Sequence, residues 1–575
     1  MVALTDKVQS SRLTIEVSQT VTDTTAIRSL DWDRDRFDIE FGLQNGTTYN
    51  SFLIRGEKIA LVDTSHAKFR QQYLDTLQGL IDPRKIDYLI ISHTEPDHSG
   101  LVKDVLELAP DITIVGAKVA IQFLENLTHV PFKRIQVKNG ETLDLGNGHL
   151  LEFVSAPNLH WPDTIFTYDY KTQTLFTCDA FGMHYCSDYT YDENLAEIEP
   201  DFRFYYECLM APNARSVISA IKRMEKFGEI NTIATGHGPL LRHNVVEFVG
   251  RYLEWSQAQT KGETTVAVFY YSDYAYSDRL SQAIAHGVTK TGIAVEMLDL
   301  RSADQQEIRE LASSAQGLIV GTPPVSGPDA ELAEEAISTI LASTHAKQAF
   351  GLYECGESSL SVYPLEVKFK QTGIKQAFPS IRITETPTEN TYKLCEEAGT
   401  DMGQLLGLKK AVQQMKSLDN DLDKALGRIS GGLYIITATK GEVSSAMLAS
   451  WISQASFQPL GLSIAVAKDR AIEALMQVND SFVLNVLAEN NYQKLMRHFL
   501  KRFAPGADRF EGVETQSASN GSPILTDAVA YLECQVASRM ELSDHWIIYA
   551  TVETGRVSDP DTLPAVHHRK VGNHY

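Results

Sequence analysis

At 575 residues the chain is too long for one hydrophobic core and is expected to fold as three or four domains. Its 43% hydrophobic and 22% charged residues are those of a globular protein, and no run reaches the roughly 18 apolar residues that span a bilayer. The formal charge is −22, from 52 Lys and Arg against 74 Asp and Glu, and this repels phosphates and argues against a nucleic-acid partner.

The first 25 residues are polar, carry both charge signs and lack the apolar core of a secretory signal. Six cysteines, at 178, 186, 208, 355, 395 and 534, form no C-x-x-C pair. That spacing speaks against a disulfide framework and against a Cys-rich zinc or iron–sulfur site, and it points to a reducing cytoplasm.

The first block, about 1–260, has strand-like runs at Phe52–Ile54, Ile59–Val62 and Tyr88–Ile91, with a helical segment around Phe69–Leu80. Strand, helix, strand and polar loop form an α/β pattern with chemistry expected at strand ends. The loop after Tyr88–Ile91 reads His93-Thr-Glu95-Pro-Asp97-His98, four potential ligands within six residues. His160 follows in Asn-Leu-His-Trp-Pro-Asp, Asp179 in Thr-Cys-Asp-Ala-Phe-Gly, and His237 in Ala-Thr-Gly-His-Gly-Pro. Four imidazoles and three carboxylates suffice for two cations if one carboxylate bridges them.

The H-x-[EH]-x-D-H arrangement resembles the metallo-β-lactamase fold, and Leu61-Val-Asp63-Thr suits its early strand. Hydrolytic members of that fold carry a second His where this chain has Glu95, and they favour zinc. A carboxylate there adds a hard oxygen donor and favours iron. With it, the block resembles the catalytic domain of the flavodiiron proteins. That resemblance implies one iron on His93, Glu95 and His160, a second on Asp97, His98 and His237, and Asp179 as the bridge, these seven being the catalytic residues.

After a polar boundary at 254–263, buried-strand runs at Thr265–Tyr270, Gly317–Val320 and Phe350–Tyr353 alternate with helical segments, the pattern of a doubly wound parallel sheet over 263–402. The loop Tyr270–Asp278 resembles a flavodoxin phosphate loop, with Ala275 where Gly is usual and Tyr276 behind it. Gly321–Gly327 and Tyr353–Ser359 stand where a flavodoxin keeps its ring-binding loops. The expected FMN contacts are Ser272, Tyr274, Ala275, Tyr276 and Ser277, then Thr322, Pro323, Pro324 and Val325, then Glu354, Cys355 and Gly356. A charged linker helix is expected at 403–424.

The last block, 425–575, turns β-rich, with runs at Gly432–Thr439, Leu462–Val466 and Ser481–Val486 that suggest a β-barrel. Ser444–Ser453, Asn485-Val-Leu and Asp544–Tyr549 resemble the flavin reductase family. The resemblance implies a second flavin, FMN or FAD, near Ser450, Trp451, Asn485 and His545. No G-x-G-x-x-G follows a strand, and in flavin reductases the nicotinamide nucleotide stacks on the flavin instead. Minor signals are a sequon at Asn45, the Tyr205-Tyr206 pair, which resembles aromatics near the family's metal site, and a His-bearing basic tail from His567.

The order metallo-β-lactamase-like αββα domain, flavodoxin-like domain and flavin-reductase-like barrel is that of the three-domain (diflavin) flavodiiron proteins, and the complete ligand set is that of their cyanobacterial type. The resemblance implies an oxidoreductase that reduces dioxygen to water with electrons from NAD(P)H, passed through flavin to a di-iron centre. The alternatives are nitric oxide reduction at the same site and a zinc hydrolase of metallo-β-lactamase type. The implied partners are O₂ and NAD(P)H, reduced ferredoxin as another donor, and a second subunit in a homodimer or a heteromer with a homologous chain.

Overall fold

The computed structural model describes residues 12–34, 36–37, 41–260, 264–271, 276–301, 303–322, 330–356, 362–415 and 425–568. The chain divides into two compact units, 1–263 with 295–299, and 264–294 with 300–575. Among the described residues no helix is long and apolar enough to cross a membrane.

The first unit contains two sheets. In one, Leu13–Val21, Thr24–Asp31, Thr47–Arg55 and Ile59–Val62 run antiparallel, and Tyr88–Ile91, Thr113–Ala117 and Lys133–Val137 continue in parallel. In the other, Thr142–Gly146, His149–Ser155, Ile165–Asp169 and Thr174–Cys178 are antiparallel, and Thr232–Thr235 joins in parallel.

Alternation along these strands builds the layers. Phe52, Ile54, Ala60, Val62 and Ile90 pack against Leu151, Phe153, Ile165 and Phe176 between the sheets. Leu53, Leu61, Leu89 and Ile91 face outward onto Tyr73 and Leu77, four apart on the helix Arg70–Leu80, and onto Val102 and Val105. On the far side, Phe166, Tyr168 and Leu175 meet Phe202, Val217, Ile221 and Phe248. The result is the expected αββα sandwich. Each fully buried side chain of this size contributes about 1.5–3 kcal/mol.

The second unit opens with a parallel sheet in the order 265–270, 317–321, 349–355, 375–376, with Ile381–Ile383 also pairing with Ala349–Cys355. Thr265–Tyr270, Gly317–Gly321 and Ala349–Cys355 run parallel, so their carboxyl ends lie at one edge. That is the ligand position of a doubly wound sheet. The helices Tyr276–Thr289 and Glu389–Met415 cross closely, with no room for a Cβ at Gly287 or Gly399.

The helix expected to start near 402 starts instead at Glu389, and so belongs to the flavodoxin-like fold as much as to the linker. The reason is a buried stripe at helical spacing: Tyr392, Cys395, Ala398, Met402, Leu405 and Leu406. A second stripe, Asn390, Glu397, Asp401 and Gln404, meets the chain beyond 425. There Glu397 pairs with Arg509 at 3.0 Å, Asp401 with Arg502 at 2.9 Å, and Gln404 donates to Asp469 at 2.9 Å. Beside it, buried Lys290 lies 2.7 Å from both Glu396 and Glu473, and Arg539 closes the group on Glu473.

The remaining sheet is antiparallel, in the order 443–449, 434–440, 481–487, 528–541, 545–557, 460–467, 452–457. Its two edge strands, Val443–Ala449 and Ile452–Phe457, are separated in the chain only by Ser450 and Trp451. The sheet must therefore curl until its edges meet, which makes it a barrel. Ile436, Met447, Ile464, Val466, Phe482, Leu484, Val536 and Ile548 fill the inside.

Candidate functional site

The loops at the strand ends of both sheets in the first unit meet at one place. Ile165 N donates to Ser92 O at 2.9 Å, and Gly236 N donates to Cys178 O at 2.6 Å. Gly236 has to be glycine, because a Cβ there would lie 2.7 Å from His98 Cε1. This stitching brings all seven residues of the motif together, and every one of them is buried.

Asp179 lies at the middle. Its Oδ2 is 3.4 Å from His93 Nε2 and 3.5 Å from His160 Nε2, and Glu95 Oε2 is 3.2 Å and 2.9 Å from the same two nitrogens. Its Oδ1 is 3.0 Å from His98 Nε2 and 3.3 Å from His237 Nε2, and Asp97 carboxylate oxygens lie 3.5 Å and 3.2 Å from those two nitrogens. Two pockets result, one with His93, Glu95 and His160 and the other with Asp97, His98 and His237. One oxygen of Asp179 is turned toward each.

The electrostatics match this geometry. Burial and the Asp97 charge push the Glu95 carboxyl up, but His160 and His93 outweigh both and hold it at about 2. Burial likewise opposes the ionised forms of Asp97 and Asp179, yet the facing imidazoles keep both below the usual carboxylate range. Burial pushes the His237 imidazole down, and Asp179 and Asp97 carry it up to about 10. These are charges arranged for a cation that can displace the imidazole protons. Asp97 Oδ1 and Asp179 Oδ2 are buried with no hydrogen-bond donor, and metal ions in the two pockets would satisfy both. Mixed imidazole and carboxylate donors suit iron, so the residues fit a di-iron centre.

Supporting groups hold the imidazoles in place. His93 Nδ1 donates to Asp163 Oδ1 at 3.1 Å, and His237 Nδ1 donates to Thr48 O at 2.6 Å, which leaves each Nε2 to face the pockets. Thr47 Oγ1 lies 2.8 Å from Nδ1 of His184, whose ring is 4.7 Å from that of His237; burial and then the His237 charge keep His184 neutral. Sequence reasoning missed Asp163, Thr48 and His184. Only Asp163 left a signal, as a carboxylate three residues after His160. Of the tyrosine pair, Tyr205 has its ring 6.2 Å from that of His237, whereas Tyr206 packs on Tyr252 and Trp255 in the core.

In the second unit Ser272, Tyr274, Ala275, Pro323, Pro324 and Val325 lie outside the described residues. Tyr276, Ser277, Thr322, Cys355 and Gly356 stand at or next to the carboxyl edge of the parallel sheet. Glu354 is buried, and its carboxylate accepts from Val362 N at 3.2 Å, at the start of the following helix. In the barrel, Ser450 and Trp451 lie at the seam where the edges meet, and the rings of Trp451 and His545 are 5.3 Å apart. Asn485 is not part of that seam. It is fully buried, donates to Ile435 O and Thr437 Oγ1 at 3.2 Å, and accepts from Leu525 N at 2.8 Å, so its amide ties strands together.

Known families cover most of the chain. The ODP family beta lactamase matches residues 47–238, flavodoxin 268–399, and the flavin reductase like domain 426–573. A diflavin flavoprotein A chain of Nostoc sp. strain PCC 7120 is 68% identical over 577 residues, covering 100% of both chains. Diflavin flavoprotein A 1 of Synechocystis sp. strain PCC 6803 is 65% identical over 565 residues, covering 98% of each. The chain belongs to the diflavin flavoprotein (flavodiiron) family. Among solved structures, the metal-soaked Flv1 flavodiiron core from Synechocystis sp. PCC6803 is 37% identical, with a TM-score of 0.65 over 69% of this chain and 99% of that one. Flavodiiron proteins are oxidoreductases that reduce O₂ or NO. They carry a di-iron centre, FMN in the flavodoxin domain and, in the diflavin members, a flavin in the reductase domain.

Proposed function

We propose that this flavodiiron protein is an NAD(P)H:oxygen oxidoreductase that reduces dioxygen to water, with electrons passing through flavin to a di-iron centre. The observation that carries the reading is the placement of Asp179, one oxygen toward His93 and His160, the other toward His98 and His237. On this reading His93, Glu95 and His160 would hold one iron, Asp97, His98 and His237 the other, and Asp179 would serve both. Bound there, a pair of irons would supply electrons and Lewis acidity to the oxygen substrate.

The chain's own residues prepare that place. Asp163 and the Thr48 carbonyl orient His93 and His237, and Glu95 supplies the hard oxygen donor that distinguishes the site from a di-zinc hydrolase. Burial of all seven groups excludes bulk water from the reacting substrate. In the second unit, Tyr276, Ser277, Thr322, Cys355 and Gly356 are assigned to FMN, and Ser450, Trp451 and His545 to the second flavin and the nucleotide stacked on it.

The domains are taken as 1–260, 263–402 and 425–575, with 403–424 as the linker, of which the described part, to Met415, is the end of the long helix. All six cysteines are free thiols, which supports a reducing cytoplasm. A second subunit, identical or homologous, and reduced ferredoxin as another donor complete the reading.

The test is iron and flavin content of the purified protein, followed by oxygen consumption with NADH and with NADPH, and nitric oxide consumption under the same conditions. Two irons per chain and water as product support the proposal. Zinc in place of iron, or faster turnover of nitric oxide than of oxygen, overturns it in favour of one of the alternatives.

A further inference from the structure

Asp163 is fully buried and lies outside the seven converging groups. Its Oδ1 is 3.1 Å from His93 Nδ1, and its Oδ2 accepts from Thr94 N at 3.0 Å and from Thr94 Oγ1. His93 and Thr94 belong to the loop leaving the first sheet. Asp163 belongs to the loop of the second sheet that also carries His160, three residues earlier. The Ile165 N to Ser92 O bond continues the same seam. One carboxylate thus ties together the two loops that deliver both imidazoles of one metal position.

Asp163 accepts from Thr94 through Oδ2 and faces His93 Nδ1 through Oδ1, so Nδ1 is the donor of that bond and the Nε2 lone pair is left for the metal. That Nε2 is 3.2 Å from Glu95 Oε2, inside the pocket. A negatively charged acceptor also strengthens the imidazole as a donor.

We propose that Asp163 is a positioning residue of the metal centre: it sets the tautomer, orientation and donor strength of His93 and holds His93 and His160 in register. The proposal rests on the reading of His93, Glu95 and His160 as ligands of one iron. Thr94 separates this role from plain loop support, because Thr94→Val removes one bond to the same carboxylate and leaves the bond to His93.

The experiment measures ferrous iron binding and the reduction midpoint of the iron centre in the full chain, alongside flavin content and the thermal unfolding of chelator-treated protein. Asp163→Asn keeps the shape and removes the charge. It is expected to weaken iron binding by about 10–100-fold, the usual cost of losing such a partner, and to raise the midpoint with flavin content unchanged. Thr94→Val is expected to bind iron as the wild type does. Wild-type affinity and midpoint in Asp163→Asn overturn the proposal, and so does an equal loss in Thr94→Val. If Asp163→Asn does not fold, Asp163→Glu replaces it, keeping the charge but displacing the oxygens. Weakened iron binding in Asp163→Glu with intact binding in Thr94→Val supports the role, and any other pairing overturns it. A wild-type protein without iron removes the ligand reading itself, whereas indifferent variants of an iron-replete protein remove only the role of Asp163.

Discussion

Glu95 Oε2 lies 2.9 Å from His160 Nε2, so a carboxylate from the loop of one sheet meets an imidazole from the loop of the other. On the proposed reading, Glu95 is the position that separates an iron site from a zinc site. Glu95→His is therefore expected to shift the metal found in the purified protein from iron toward zinc. Oxygen consumption should fall by at least the roughly 10–100-fold that loss of a supporting residue costs, with flavin content unchanged. Metal analysis showing the same iron content in the variant would contradict the assignment.

Asp179 joins the two pockets through separate oxygens, so its loss acts on both at once. Asp179→Ala is expected to lower iron below two per chain and to abolish oxygen uptake, while NAD(P)H still reduces the flavins. The reduced-flavin spectrum and the oxygen electrode read the two effects separately. Uptake that survives the substitution would take the irons out of the reaction.

The second unit contains a different charged group, remote in sequence from the motif. Glu396 is buried beside Lys290 and Lys393, and although burial alone would raise its carboxyl, Lys290 and Lys393 hold it down at about 2. A carboxyl depressed in the folded state stabilises it above its unfolded value, near 4.5, and that contribution is lost as pH falls from there through about 2. Glu396→Gln leaves Lys290 with Glu473 and removes the contribution that the shift from 4.5 to about 2 represents, about 3 kcal/mol at pH 7. Measured by denaturant unfolding, the gap between variant and wild type should close as the pH is lowered toward 2. A gap independent of pH would show that shape, not charge, matters at this position.

The seven ligand candidates were legible because the chemistry-bearing residues follow strand ends, where sequence order and spatial order coincide. The supporting residues were not. His237 takes its orientation from the Thr48 carbonyl, 189 positions away, and a backbone acceptor has no sequence signature. Glu354 and Asn485 show a second limit, because the hydrogen bonds that cap a helix or tie strands leave no signature distinct from that of a polar residue next to a binding loop. The early start of the long helix was hidden for a related reason: its apolar stripe and its charged stripe run through one continuous segment, and the charged one alone reads as a solvated linker.

That helix offers a test with an internal control. A Cβ on Gly399 would come within 1.9 Å of the Ile284 carbonyl oxygen, and one on Gly287 within 1.9 Å of the Glu396 carbonyl oxygen. Both obstacles are backbone, so the helices would have to move apart. Gly407, on the same helix, has no described atom within 4 Å of such a Cβ. Replacing glycine with alanine inside a helix gains about 1 kcal/mol of intrinsic propensity. Forcing extra volume into a packed contact costs roughly 1–3 kcal/mol and more where backbone must shift. Propensity should therefore win at 407 and packing at 399. Gly407→Ala is expected to raise the unfolding temperature slightly, and Gly399→Ala to lower it and expose Lys290 and Glu396 to solvent. Equal effects from the two substitutions would mean that the close crossing of the helices does not exist in solution.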